Sequence, residues 1–163
     1  KGFAVDPETG GAVFDFIHEF DLLAYLLGRF KVKSVLAGHT GILEMEAEDI
    51  VDAILYHEGN VVSVLHIDYL TRPPMRTTEI VGSEGKLTID ILERSLIHTA
   101  IDGTVVAEKH FGGKHADDYI EEMRIFMAAI KGESTLPCDG EEALIVLEEI
   151  IKTRELAGLP AKK

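Results

Sequence analysis

The chain has 163 residues, 46% of them apolar, with 29 acidic residues against 16 basic and a net charge of -13. That is enough apolar material for a buried core, which excludes a disordered chain, and the acidic excess argues against nucleic acid or an anionic membrane as partner. Cys138 is the sole cysteine, so no disulfide framework is expected and a reducing cytoplasm fits; no run of about 18 apolar residues exists to span a membrane.

Residues 1–9 read as an extended leader ending in turn residues. A helix is predicted over roughly 12–27, with Phe14, Ile17, Leu22, Tyr25 and Leu26 as its apolar stripe and Gly28 at its C-terminal end. Segment 31–37 reads as a strand. Segments 49–57 and 60–70 flank Glu58-Gly59, a two-residue hairpin turn. Segments 76–82 and 86–93 flank Ser83-Glu84-Gly85, and segments 95–101 and 104–111 flank Asp102-Gly103. A helix over 117–131 places Ile120, Met123, Phe126, Met127 and Ile130 on one side before Gly132. Asp139 caps a last helix to about Leu156, with Glu141 and Glu142 complementing its dipole, and Gly158 and Pro160 stop it. The acidic residues of that helix read as a solvated face.

The order predicts an α+β fold: one open, mostly antiparallel (mixed) β-sheet with the helices packed on one face, over residues 1–163 as a single domain. In the hairpin 49–70 a two-residue turn groups Val51, Ala53, Leu55, Val62 and Val64 on one face. It groups Ile54, Tyr56, Val61, Leu65, Ile67 and Tyr69 on the other. Both faces are then apolar, and a second subunit or domain is expected to cover the one the helices leave open.

The segment from Gly10 to Asp21 carries the leading candidate site. Asp15, His18 and Asp21 lie three residues apart, near one face of the predicted helix. A histidine between carboxylates is oriented and made more basic, as a general base requires. A metal reading of His18 with Asp21 is weaker, because no second His or Cys group completes a first shell, so no metal is expected. The second candidate runs from His66 to Arg76. His66 and Asp68 share one side of a strand, beside Tyr69, and Arg72 and Arg76 flank Pro73-Pro74, where guanidinium groups suit a carboxylate or phosphate. The blander readings are an exposed helix histidine and a strand end with solvated charges. Gly82-Ser83-Glu84-Gly85 sits between strands and reads as a plain turn, not a phosphate cradle. His39, His57, His98, His110 and His115 read as structural or exposed, and Cys138 has no nearby partner for catalysis.

Four segments in order resemble the C-terminal domain of the Gfo/Idh/MocA oxidoreductases, the glucose–fructose oxidoreductase and inositol dehydrogenase family. They are Gly10–Gly28 with its Asp-x-x-His-Glu-x-Asp core, His66–Arg76, Glu79–Leu87, and Tyr119–Gly132 followed by Asp139-Gly140 and the last helix. The resemblance implies a two-domain enzyme whose N-terminal Rossmann domain, absent from this chain, binds NAD or NADP. It implies a sugar, sugar nucleotide or polyol as substrate. By the motif, His18 transfers the proton together with a lysine of the missing domain, and Asp15 is the upstream carboxylate, one residue nearer than in the commoner form. Asp21, His66, Tyr69, Arg72 and Arg76 are candidate substrate contacts. A homodimer or homotetramer through the sheet face is expected, and this fragment alone is expected to be inactive. The competing reading is a non-catalytic dimerisation or ligand-binding module built on the same sheet.

Overall fold

A computed structural model describes residues 3–160. The chain forms two compact units, one built from the chain up to Leu70 and from Pro137 onward, the other from Thr71–Leu136. The first opens with a 3-10 turn at Phe3–Val5, where an extended leader was expected. Then follow α1 (Ala12–Asp15) and α2 (Ile17–Leu27), a three-stranded antiparallel sheet of β1 (Phe30–Gly38), β2 (Ile50–His57) and β3 (Val62–Asp68), and finally α4 (Gly140–Leu156). The second unit is an antiparallel meander of β4 (Thr77–Gly82), β5 (Gly85–Asp90), β6 (Ser95–Ala100) and β7 (Val105–His110), followed by α3 (His115–Ile130). The α+β class and the open antiparallel pairing are as the sequence predicts. Hydrogen bonding divides the seven strands into two sheets instead of one. Among the described residues no helix is long and apolar enough to cross a membrane.

Two local departures have clear causes. The predicted helix 12–27 breaks at Phe16, whose backbone (φ -106, ψ 33) is not helical. The break rephases the buried stripe. Ala12, Val13, Phe20 and Leu23 enter the core, while Ile17 and Tyr25 are exposed. In the first hairpin the turn is three residues, a 3-10 turn at Glu58–Asn60 with Gly59 left-handed, not the two of Glu58-Gly59. One added residue shifts the ladder and moves each side chain of β3 to the opposite face. Leu55 now faces Ser63, and Ile54 faces Val64.

The corrected register separates the two faces of the first sheet cleanly. Val32, Val35 and Ala37 of β1, Val51, Ala53 and Leu55 of β2, and Leu65 and Ile67 of β3 form the inner face. Against it pack α1 and α4, with α2 behind on α4, and Phe20, Leu23, Val146 and Ile150 complete the core. The outer face carries Leu36, Ile54, Tyr56, Val62 and Val64, all exposed, with Asp52 and His66 at one end.

The core also holds charge. Arg154 of α4 is fully buried. Its guanidinium donates to Gly10 O (2.9 Å), Pro7 O (2.6 Å), Pro160 O (2.7 Å) and Glu48 Oε1 (3.0 Å), and it stacks 4.5 Å from the centre of the Phe14 ring. Glu48, also buried, accepts from Val13 N–H (3.2 Å) through its carboxylate and from Ala12 N–H (3.0 Å) through its carbonyl. This is why the chain turns at Gly10-Gly11. Gly11 has φ +86, and a Cβ there would overlap the Glu48 carboxylate. Gly11→Ala is therefore expected to cost more than about 1 kcal/mol, read as a lowered melting temperature. An unchanged melt would show that the Glu48 side chain can move aside.

The last helix corrects its solvated reading at one position. Glu149 is buried, accepting from Lys31 Nζ (2.7 Å) and Val32 N–H (2.9 Å) beside the bulge in β1. Asp139 does cap that helix, accepting from Glu141 and Glu142 N–H at 3.0 Å each. In the second unit β5 ends at Asp90, short of the predicted 93. Asp90 Oδ1 accepts from Leu92 and Glu93 N–H and turns the chain toward β6. The apolar stripe of α3 carries no buried residue.

Candidate active site

The helix break at Phe16 determines where the leading candidates lie. Asp15 ends α1 and His18 sits in the first turn of α2, so the two do not share one continuous helix face. Asp15 turns instead to the end of β3, where Tyr69 Oη donates to its Oδ2 at 2.9 Å. Tyr69 is itself anchored, its N–H donating to the carbonyl of buried Asp49 (3.1 Å). Burial first, and then the Asp15 contact, push the Tyr69 phenol well above its ordinary value. Tyr69 is thus a hydrogen-bond donor at ordinary pH, not a base. The Phe16 ring lies between the two halves, 5.0 Å from the Tyr69 ring and 5.8 Å from the His18 imidazole, edge-on to the latter.

The His18 side chain is 49% exposed, and its Nε2 lies 3.2 Å from Glu19 Oε1. Its charged neighbour is the next residue, not Asp15 or Asp21 as the spacing suggested. Asp21 lies one turn further on, 4.0 Å from the Cys138 Sγ. That thiol is held above its ordinary pKa, first by burial and then by Asp21 and Asp139, so it is poorly nucleophilic.

The remaining candidates separate. His66 points to the outer face of the sheet, opposite the helices that carry His18. Its Nδ1 lies 2.8 Å from Asp52 Oδ1 and its Nε2 3.0 Å from Asp68 Oδ2. Arg72 and Arg76 belong to the second unit. Arg72 is exposed and donates to Thr71 O (2.7 Å), and the Arg76 carbonyl accepts from Ile91 N–H (3.0 Å). His57 is structural, its ring bridging Gly28 O and Ser63 Oγ at 2.8 Å each.

Sequence reasoning named Asp15 and Tyr69 separately but missed that they pair. It missed Glu48 and Arg154 altogether. The one signal for that ion pair was Gly10-Gly11 itself, a turn that leaves room for a carboxylate.

The family model for an oxidoreductase family, C-terminal alpha/beta domain (Gfo/Idh/MocA), matches residues 5–155. The chain belongs to this family. No curated protein sequence matches it. Among solved structures it is similar to UDP-N-acetylglucosamine 3-dehydrogenase GnnA from Acidithiobacillus ferrooxidans, with TM-score 0.75 and 22% identity over 89% of this chain and 46% of that one. It is similar to a levoglucosan dehydrogenase in complex with NADH and levoglucosan (TM-score 0.75, 17% identity, 97% of this chain and 54% of that one). It is also similar to the WlbA dehydrogenase from Bordetella pertussis in complex with NADH and UDP-GlcNAcA (TM-score 0.64, 20% identity, 94% and 48%). At these identities the likeness is one of fold, and the chain spans about half the length of these relatives.

A nicotinamide dinucleotide does not fit the described residues as its main holder. Every strand pair of the described residues is antiparallel, and the one glycine-rich passage among them from strand to helix, Gly112-Gly113 between β7 and α3, lacks the Gly-x-Gly-x-x-Gly pattern and a parallel βαβ unit that would cradle a pyrophosphate.

Proposed function

We propose that this domain is the substrate-facing half of a nicotinamide-dependent dehydrogenase acting on a hydroxyl-bearing carbon of a sugar, sugar nucleotide or polyol in the cytoplasm. Family membership supports the reaction class, and the neighbours' names and bound NADH support the cofactor and substrate class. The observation that carries the reading is the exposed His18 imidazole at the start of α2, three residues after Asp15, whose carboxylate Tyr69 holds in place. In this reading His18 takes the proton from the substrate hydroxyl. Asp15, with Oδ2 engaged by Tyr69, keeps Oδ1 for a neighbouring hydroxyl, and Asp21 lies within a turn of the same surface. Arg72 and Arg76 stay in the proposal as contacts for an anionic substituent, on their chemistry alone. His66, on the opposite face of the sheet, leaves it. The test is the intact protein assayed with NAD and NADP against a panel that includes UDP-N-acetylglucosamine and levoglucosan. Absence of nicotinamide reduction across sugars, sugar nucleotides and polyols would sink the reading.

The same reading places the cofactor on another domain. Calorimetry of this chain alone with NAD or NADP is expected to give no measurable heat, and a low-micromolar Kd would contradict it.

The assembly part of the reading is a second copy on the outer sheet face. That face has an apolar centre of Ile54, Tyr56, Val62 and Val64, a cation at one end in Lys33, 5.6 Å from the centre of the Tyr56 ring, and the carboxylates Asp52 and Asp68 toward the other. A twofold axis through the centre sets unlike ends against each other, so the face is its own complement. Sedimentation is expected to show a dimer or tetramer, and Ile54→Glu to give monomers. An Ile54→Glu variant that associates as tightly as the parent would exclude this face.

A further inference from the structure

Asp49 is a buried acid that the proposed chemistry leaves unused. It stands just before β2 with no solvent exposure, and every polar atom it has is engaged. Its N–H donates to Gly38 O at the end of β1 (2.9 Å), and its carbonyl accepts from Tyr69 N–H just past the end of β3 (3.1 Å). Its carboxylate holds Thr40 twice, Oδ1 accepting from the N–H (2.9 Å) and Oδ2 from the hydroxyl (2.6 Å). One residue thus ties together one end of all three strands of the first sheet and the first turn of the loop between β1 and β2. A carboxylate is a costly group to bury, and its removal from water is offset only by good partners. Among the described residues its ion-pair partner is the half-exposed His39, 3.8 Å away. An apolar side chain would fill the same space without that cost. What the carboxylate adds is a fixed direction for Thr40 on one side of the residue while its backbone fixes Tyr69 on the other.

We propose that Asp49 is a positioning residue, which with Thr40 sets the Tyr69–Asp15 pair in place for the substrate. The proposal rests on the dehydrogenase reading and extends it to a residue with no exposed atom to offer a substrate. The argument lies in the end of the ladder. Pairing of β2 with β3 stops at Ile50 opposite Asp68, so the bond from Tyr69 N–H to the Asp49 carbonyl is the next one that holds the chain as it leaves β3. Rotation about the Asp49 backbone would swing that carbonyl and carry Tyr69 with it. The paired bonds to Thr40 stop the rotation by fixing the side chain of the same residue. The last link is Tyr69 Oη, which donates to Asp15 Oδ2 at 2.9 Å. Thr40, Asp49, Tyr69 and Asp15 therefore form a continuous series of hydrogen bonds, from an exposed loop to the carboxylate that meets the substrate. Such a series carries coupling only if loosening one member is felt at the next, which is a measurable property.

The experiment places Thr40→Val in the intact protein, because Thr40 is exposed and the change removes the hydroxyl donor while keeping the shape. Thr40→Ser keeps the donor and is the rescue. Amide hydrogen exchange is followed in segments 38–46 and 66–70, with 50–57 as the internal control. Thr40→Val is expected to speed exchange in the first two by about tenfold or more, the loss of a hydrogen bond to a charged acceptor, and to leave the control unchanged. With a substrate the intact protein turns over, it is expected to raise KM about tenfold and move kcat less than about twofold, and Thr40→Ser to restore both readouts. On a Tyr69→Phe background Thr40→Val is expected to add nothing to KM, since the hydroxyl being positioned is gone. A purely structural Asp49 would lower the melting temperature and leave KM where it was. Should Thr40→Val melt early, Asp49→Asn, of the same shape without the charge, is expected to move both readouts in the same direction. Unchanged exchange at 66–70, or effects of Thr40→Val and Tyr69→Phe on KM that multiply independently, overturns the proposal. A protein that reduces no nicotinamide with any substrate overturns the dehydrogenase reading instead, and exchange at 66–70 then decides alone whether Asp49 holds Tyr69.

Discussion

Arg154→Met is expected to destabilise the first unit by about 3–5 kcal/mol. Arg154 has no solvent exposure and reaches carbonyls at both ends of the chain, Pro7 and Gly10 near the start and Pro160 near the end, as well as Glu48. Its loss leaves a buried carboxylate without a cation and several carbonyls without a donor, which costs more than the pair itself contributes. The double variant Arg154→Met with Glu48→Met removes the stranded charge and is expected to be less destabilised than the sum of the two singles. Arg154→Lys is expected to fall between, since an ammonium keeps the charge but cannot span the same fork of acceptors. Urea unfolding read by circular dichroism checks each value. A double variant no better than additive would show that the two residues act separately, and that the ion pair is incidental to holding the Gly10-Gly11 turn.

That ion pair also marks where sequence reading fails. Glu48 and Arg154 are 106 residues apart. Nothing in the helical period around Arg154, or in the loop around Glu48, distinguishes either from a solvated charge. Burial is a property of the assembled unit, and only the glycines at 10 and 11 carry its imprint. Local chemistry was legible wherever one residue decides the outcome. Asp139 caps α4 as its side chain dictates, and Asp102-Gly103 turns β6 into β7, with Asp102 accepting from Thr104 N–H at 2.9 Å. The first hairpin shows the opposite case. Its strands were placed correctly, but the turn took in Asn60 as well as Glu58-Gly59. That one residue exchanged Val62 and Val64 for Leu65 and Ile67 on the core face. The expectation of an apolar outer face survives with different residues on it. In the site, the Asp15–His18–Asp21 spacing presumed an unbroken helix. A β-region partner, Tyr69, draws Asp15 away at the Phe16 break, a long-range contact that periodicity cannot register.

His18→Ala in the intact enzyme is expected to lower kcat by about 10²–10⁴-fold, the usual loss of a positioned general base, while its melting profile stays that of the parent. The separation follows from where the residue sits. The packing of α2 rests on Phe20 and Leu23, both in the core, whereas His18 is half-exposed and touches Phe16 edge-on. Asp15→Asn is expected to cost less than His18→Ala, because Asp15 is held by Tyr69 and not by the imidazole. Tyr69→Phe removes only the hydroxyl that fixes Asp15 and keeps the ring contact with Phe16, 5.0 Å away. In this scheme it raises KM more than it lowers kcat, since the loosened carboxylate still meets the substrate but no longer waits in place. The proton acceptor and the orienting pair are thereby told apart by which kinetic constant moves. If His18→Ala retained full activity, the proton would have another acceptor. If it unfolded, the imidazole would be holding the Phe16 break together, and the exposed histidine would be a piece of structure.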